Sequence, residues 1–586
     1  MTTSSTNPSA QVSSVGDEYW RAYLDADPFT ASSLGVPGLA SEVPDPSRQA
    51  SDRFAQILDG LERRLAALDM TSADRDARLN WSFLHTRIHN QRVRIASDVD
   101  AVSISGSIGG LLSQLISDIS PTRIDTAAAG TAFLERLCKL DGYIAGVGTR
   151  HVQANLEGRR PTVLGVQQAI DQLDMYLSSS LSDDAFLKPV REDHPSAQAI
   201  RDYAEQAVTG HVRPALAAYR DMLQNQLLNS GRDDSHVGLC HIPGGEDAYN
   251  TLIRHFTTTD MPAEAIHHEG IQLIASLTEE VRAVGHLSLG TNSAAATIQR
   301  LRDDPSLRFT SAQHQLEYVD LAYQRAVASI GGWFRDYRLA TCDIQQMNLV
   351  QARNGITGYY TTPAHDGTRP GTFWVNTFES HNRPIAPFES ITFHESVPGH
   401  HLQLSVGRND NLAIYRQHLS SIAHREGWGL YVERLADEMN LYSSPVARLG
   451  MLTSSMLRSA RLVVDTGMHH LGWPRSRAIA YLIENTALSA AEVENEIDRY
   501  IAVPGQALSY MIGQTCIERL RRTAAARLGS AFSLPEFHHC VLRDGTLPLA
   551  TLSQVVEDWI EAGIRQAPAQ ALAGSYARQE NFPEIG

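Results

Sequence analysis

Cysteine is scarce and unpatterned in this chain. The five residues, Cys138, Cys240, Cys342, Cys516 and Cys540, are scattered over 586 positions and never form C-x-x-C. That spacing excludes a disulfide-stapled secreted scaffold and a thiol-based zinc or redox motif, and we read the thiols as reduced and mostly buried. Long apolar runs are missing too: no stretch approaches the roughly 20 residues of a membrane-spanning helix. The Ser- and Thr-rich start has neither the basic opening nor the apolar segment of a signal peptide. A cytoplasmic protein with no membrane partner is expected, with a disordered tail over residues 1–16. Positive charge is in deficit, with 50 Lys and Arg against 66 Asp and Glu, a formal net charge of −16 and a pI near 5.8. Nucleic acid, which needs a basic footprint, is therefore not an expected partner. There is no G-x-S-x-G elbow, P-loop or complete G-x-G-x-x-G, so serine-nucleophile chemistry and a nucleotide cofactor have no support.

What is present is helix-period patterning over most of the length, as in Ser51 to Leu68 with apolar Phe54, Ile57, Leu58, Leu61, Leu65 and Leu68. We expect a mainly α molecule in two parts. Residues 17–350 form a helical half and one groove wall, and residues 351–586 form a half that carries the chemistry. Gly238 to Tyr249, rich in Gly and with one Pro, reads as a loop. Residues 354–377 change character to Gly, Thr and aromatics and read as the one β-hairpin. Its segment Gly371 to Thr377 is placed like an edge strand that could pair an extended substrate.

The sharpest signal follows that hairpin: Phe393-His394-Glu395-Ser396-Val397-Pro398-Gly399-His400-His401. Zinc peptidases use H-E-x-x-H, in which two histidines share a helix face and the glutamate polarises a water. Proline at 398 breaks that pattern. His394 and His400 would be rotated by about 240° on a straight helix at roughly 100° per residue. His394 and His401 would share a face but sit about 10.5 Å apart along the axis, too far for one ion. Pro398-Gly399 supplies the required distortion, since proline removes a backbone donor and glycine tolerates the excursion. The spacing predicts a helix broken between two converging histidines, centred on Ser396 to Gly399. Glu426, 26 residues after His400 on the next predicted helix and beside Gly-Trp-Gly, is the expected third ligand, with Glu433 as rival. Glu395 is the expected general base. Arg461, Asp465 and His469 share a helix face and read as partners that orient the ligands, or as an ion-pair network. Arg369 or Arg499 would bind a substrate carboxylate by its bidentate fork.

The motifs HESVPGHHLQ (394–403), EGWGLYVE (426–433), VDTGMH (464–469) and RYIAVPGQALSYMIG (499–513) resemble those of the DUF885 family, over nearly the whole chain. That family in turn looks like the M32 thermostable carboxypeptidases, zinc peptidases of the gluzincin type. The resemblance implies a large elongated helical body with a deep central groove. It places a two-residue insertion in the H-E-x-G-H pattern of those enzymes, which selects His400 over His401 as ligand and leaves His401 beside the site. It also suggests Tyr510 as a donor to a developing oxyanion. One zinc ion, a peptide or amide substrate and hydrolysis are the implied cofactor, partner and reaction, and a homodimer is allowed for. The alternatives are a metal-dependent lyase or amide-forming enzyme on the same scaffold, and a non-catalytic peptide-binding protein.

Overall fold

The computed structural model describes residues 7–106, 109–190, 197–348, 352, 357–363, 369–407 and 411–577. It is mainly helical with one small three-stranded sheet. The helices form where the periodicity and caps agree. Arg48–Ala66 starts at Ser47, whose hydroxyl accepts the Ala50 N–H, and it buries Leu58, Leu61 and Leu65.

The tail expected over 1–16 is corrected in its second half. A helix runs from Pro8 to Ala26, capped by Asn7, and buries Val12, Val15 and Tyr19. Those three recur at i, i+3 and i+7, an apolar stripe that the surrounding serines hide in the composition. Residues 1–6 lie outside the described residues. The loop expected over Gly238 to Tyr249 is also shorter than its composition suggested. Gly244, at φ 68°, turns the chain directly into the helix Gly245–Thr257.

The sheet consists of β1 (Cys342–Gln346), β2 (Gly358–Thr361) and β3 (Gly371–Val375), in the order β1-β3-β2. β2 and β3 pair antiparallel, with Tyr359 opposite Trp374, and this is the expected hairpin, whose turn lies outside the described residues. β1 joins β3 in parallel, with Ile344 opposite Phe373. That pairing corrects the reading of Gly371 to Thr377 as an edge: β3 is central and its backbone groups are spoken for on both sides. β1 and β2 are the outer strands.

The buried helix Pro445–His469 packs lengthwise on Ala263–Leu289. The largest apolar cluster takes Leu79, Tyr249 and Ala322 from one expected half and Trp428, Ile512 and Leu552 from the other, so one core spans residue 350. A second cluster, including Phe133, Leu140, Val166, Val212 and Leu216, belongs to the N-terminal half alone.

Candidate metal centre

The helix is broken where the spacing predicts: Phe388–Glu395 and His400–Val406 are separated by Ser396 to Gly399. The Val397–Pro398 peptide is cis. The break turns the two histidines toward each other, with ring centroids 4.7 Å apart and planes at 85°. Glu426 meets them from the helix Ile422–Glu438: its Oε2 lies 3.6 Å from His394 Nε2 and 3.5 Å from His400 Nε2. One ligand atom from each residue falls within 4.8 Å of the others. A tetrahedral ion with bonds of about 2.0–2.1 Å holds its ligand atoms about 3.4 Å apart, so the two His–Glu separations need little adjustment to receive one.

Neighbouring residues hold this geometry. His394 Nδ1–H donates to Glu433 Oε1 at 2.8 Å, which leaves Nε2 facing Glu426, and Ser390 donates to the other Glu433 oxygen. Glu433 therefore orients the His394 ring and lies outside the group of three that could hold an ion. The seven-residue spacing of Glu426 and Glu433 carried that signal, since it puts both carboxylates on one face two turns apart. Gly429 makes room for the His394 ring: a Cβ there would meet its Cε1 at 2.4 Å. At Gly399 a Cβ would meet the His394 carbonyl oxygen at 1.9 Å, so only glycine lets the chain double back at the break. The Trp428 indole N–H then donates to the Pro398 carbonyl at 3.0 Å and satisfies an acceptor that the broken helix leaves over.

Burial disfavours charge on His394, but Glu426 and Glu433 outweigh it and push the ring up to about 10. Burial likewise opposes ionisation of Glu426, yet the two histidines hold it well below the usual carboxylate range. A buried anion already converged upon by two imidazoles is a site built to share a positive charge, and a divalent cation fits the donor set. His400 Nδ1 is a buried nitrogen with no hydrogen-bond partner, so that ring is not held by a second contact of the kind His394 has. Glu395, half-buried beside the cluster, has its carboxyl raised by burial, with His394 and His400 pulling the other way. It accepts no hydrogen bond among the described residues.

The remaining candidates divide. His401 faces away: Tyr360 of β2 donates to its Nδ1 at 2.8 Å and its Nε2–H donates to the Ala340 carbonyl at 3.0 Å. The two bonds tie His400–Val406 to β2 and to the segment that leads into β1. Tyr510, on Ser509–Leu528, lies close enough for the Glu426 carboxylate to add to the burial that raises its phenol, and the Arg461 guanidinium sits 5.0 Å over its ring. Arg461 also donates to Tyr500 at 2.7 Å and pairs with Glu496 at 2.9 Å. Asp465 and His469 bond to none of His394, His400 and Glu426. Asp465 accepts from Tyr249 at 2.6 Å and from the Gly505 N–H at 3.0 Å, while His469 bridges the Leu239 N–H and the Tyr500 carbonyl. They fix the turn before Tyr510. Arg499 is engaged by Glu496 and Gln506, and exposed Arg369 donates to the carbonyls of Thr362 and Pro370, so neither guanidinium is uncommitted.

Among curated proteins none matches this chain. A solved structure of a candidate lipoprotein from Colwellia psychrerythraea is 25% identical, covers 95% of this chain and 100% of its own, and superposes with a TM-score of 0.87. A candidate lipoprotein of unknown function from Shewanella oneidensis shares the fold at 15% identity, with a TM-score of 0.72 over 93% of this chain and 99% of its own. The word lipoprotein describes those two proteins; here, among the described residues, no helix is long and apolar enough to cross a membrane. The model for the DUF885 family, bacterial proteins of unknown function, matches residues 28–556, and the chain belongs to that family.

Proposed function

We propose that the protein is a metal-dependent hydrolase of peptide or amide bonds, with one zinc ion held by His394, His400 and Glu426. The observation that carries the reading is the convergence of these three side chains, from three helices, beside Glu395, which accepts no hydrogen bond among the described residues. The motif-level likeness to thermostable carboxypeptidases points the same way. Bound there, the ion would polarise the scissile carbonyl and acidify a water. Glu395 takes the proton of that water and passes it to the leaving amine, a task for which a carboxyl raised above its ordinary value is suited. Tyr510 donates its hydroxyl hydrogen to the oxygen on which negative charge develops. Glu433 keeps the His394 ring in one tautomer and one orientation. An extended substrate would pair along β2, the outer strand whose Tyr360 is tethered to His401.

Metal analysis combined with peptide hydrolysis tests this. Wild-type protein should hold about one zinc per chain and cleave peptides. Glu395→Gln should keep the metal and lose roughly 100-fold or more in rate, since general-base contributions run to about 10²–10⁴. Near-wild-type turnover in that variant, or failure of the wild type to bind a divalent ion, would overturn the assignment.

A further inference from the structure

Arg369 and Arg499 are committed to other groups, which leaves open what would recognise a charged substrate. Arg458 lies on Pro445–His469, three residues before Arg461 and so on the same face, about 4.5 Å along the axis. It is half-buried, and its Nε is sealed from solvent with no acceptor. Among the described residues its one hydrogen bond is a long one, 3.4 Å, from a terminal nitrogen to the Ser454 carbonyl of its own helix. It makes no ion pair among the described residues. Its neighbours do: Arg461 and Arg499 share Glu496 at 2.9 and 3.0 Å. The Arg461 guanidinium sits 5.0 Å over the Tyr510 ring, and Gly513, one turn after Tyr510, packs against Gly427 beside Glu426, so this face of the helix reaches the rim of the candidate metal centre. A buried guanidinium nitrogen without a partner is costly to keep. The carboxylate nearest these arginines, Glu496, is already shared by Arg461 and Arg499, which leaves Arg458 without an anionic partner among the described residues.

We propose that Arg458 binds an anionic group of the substrate, a carboxylate next to the bond that is cleaved, so that the site prefers acid-terminated peptides to their amides. The planar fork of Arg458 matches a carboxylate bidentately. The inference rests on the hydrolase reading for the word cleaved, but not for the binding itself.

The test uses an N-acetylated tripeptide with a free C-terminal carboxylate and the same tripeptide amidated. Zinc-loaded wild type, Arg458→Met, Arg458→Lys and the distant control Arg477→Met are compared by steady-state kinetics. In parallel, calorimetry measures binding of both peptides to Glu395→Gln protein with and without the Arg458 changes. Wild type should favour the acid through KM. Arg458→Met should reduce that preference by roughly 10- to 100-fold, the range of a charged hydrogen-bonded contact. Arg458→Lys should recover part of it and Arg477→Met all of it. Zinc content and thermal midpoint, checked first, separate this effect from misfolding, and the Lys variant carries the test if the Met variant does not fold. If no peptide is cleaved but the acid still binds better, and Arg458→Met removes the difference, the recognition stands and the hydrolase reading falls. An equal acid-to-amide ratio in wild type and Arg458→Met, or no binding of either peptide, overturns the inference.

Discussion

His400 and His401 are adjacent and chemically identical, and their surroundings separate them completely. His401 spends both nitrogens on Tyr360 and Ala340, and burial lowers its pKa, consistent with a neutral ring that accepts from a phenol and donates to a carbonyl. His400 presents Nε2 to Glu426 and nothing to its other nitrogen. Removing one of three ligands from a zinc site should cost several orders of magnitude in affinity, whereas His401→Ala loses a tether and no ligand. His400→Ala should therefore lose zinc on dialysis against a mild chelator under conditions in which His401→Ala retains it. The reverse outcome, read by atomic absorption, would move the ligand to the second histidine. At this scale the sequence was informative because residue types near Pro398-Gly399 restrict the geometry so tightly. It was less informative for Glu433 and Arg458. A carboxylate that orients a histidine and one that binds a metal look alike in sequence, and an arginine without a partner is visible only once its neighbours are placed.

The break at Ser396 to Gly399 shows what becomes legible at the level of an element. Six-residue histidine spacing cannot converge on a straight helix, so Pro398-Gly399 had to interrupt it, and the interruption falls where the spacing predicts. β1 was not legible. Cys342-Asp343-Ile344-Gln345-Gln346 has one β-branched residue and no alternation, and it becomes a strand because β3 offers it a parallel partner. Without that partner β3 would be an edge strand, which is how its own residues look in sequence. The Gly-Trp-Gly segment was legible in kind: small residues beside Glu426 meant close approach, and a Cβ on Gly427 would meet the Gly513 Cα at 2.4 Å on the neighbouring helix. Gly429 is the sharper case, because its neighbour is the His394 ring. Gly429→Ala should displace that ring, cost about 1–3 kcal/mol of stability as overpacking does, and weaken zinc binding by at least roughly tenfold. A variant with wild-type zinc affinity in a metal-buffer titration would show that the ring does not need that space.

Over the whole molecule, helical class and family were readable from periodicity and motifs, whereas the packing of the two halves around one core was not, because contacts such as Tyr249 with Asp465 join residues far apart in sequence. That shared core buries histidines remote from the metal centre, and they set a prediction about acid. Burial lowers His469 and His538 to about 3, and it lowers His255 to about 3 with Arg94 adding to the effect. Each ring is held neutral by the fold, as in His538, whose Nδ1–H donates to the Trp333 carbonyl. Unfolded, each would titrate near 6.5, so the unfolded chain binds more protons anywhere between that value and about 3. The stabilising contribution of these groups is thus complete above pH 6.5 and is lost as pH falls toward 3, at about 1.4 kcal/mol per pH unit for each ring. Asp465 works in the opposite sense. Burial raises it to about 7 against its bonds from Tyr249 and Gly505, so it favours folding as pH drops through 7. One such carboxyl cannot offset three histidines. Urea denaturation between pH 6.5 and 4.5 should accordingly show stability falling steeply with pH. His538→Gln should reduce that slope by about 1.4 kcal/mol per pH unit whatever it does to stability at pH 8. A profile that stays flat across this window, or a slope unchanged in the variant, would mean that these rings are charged inside the fold or are not sealed from water as their packing indicates.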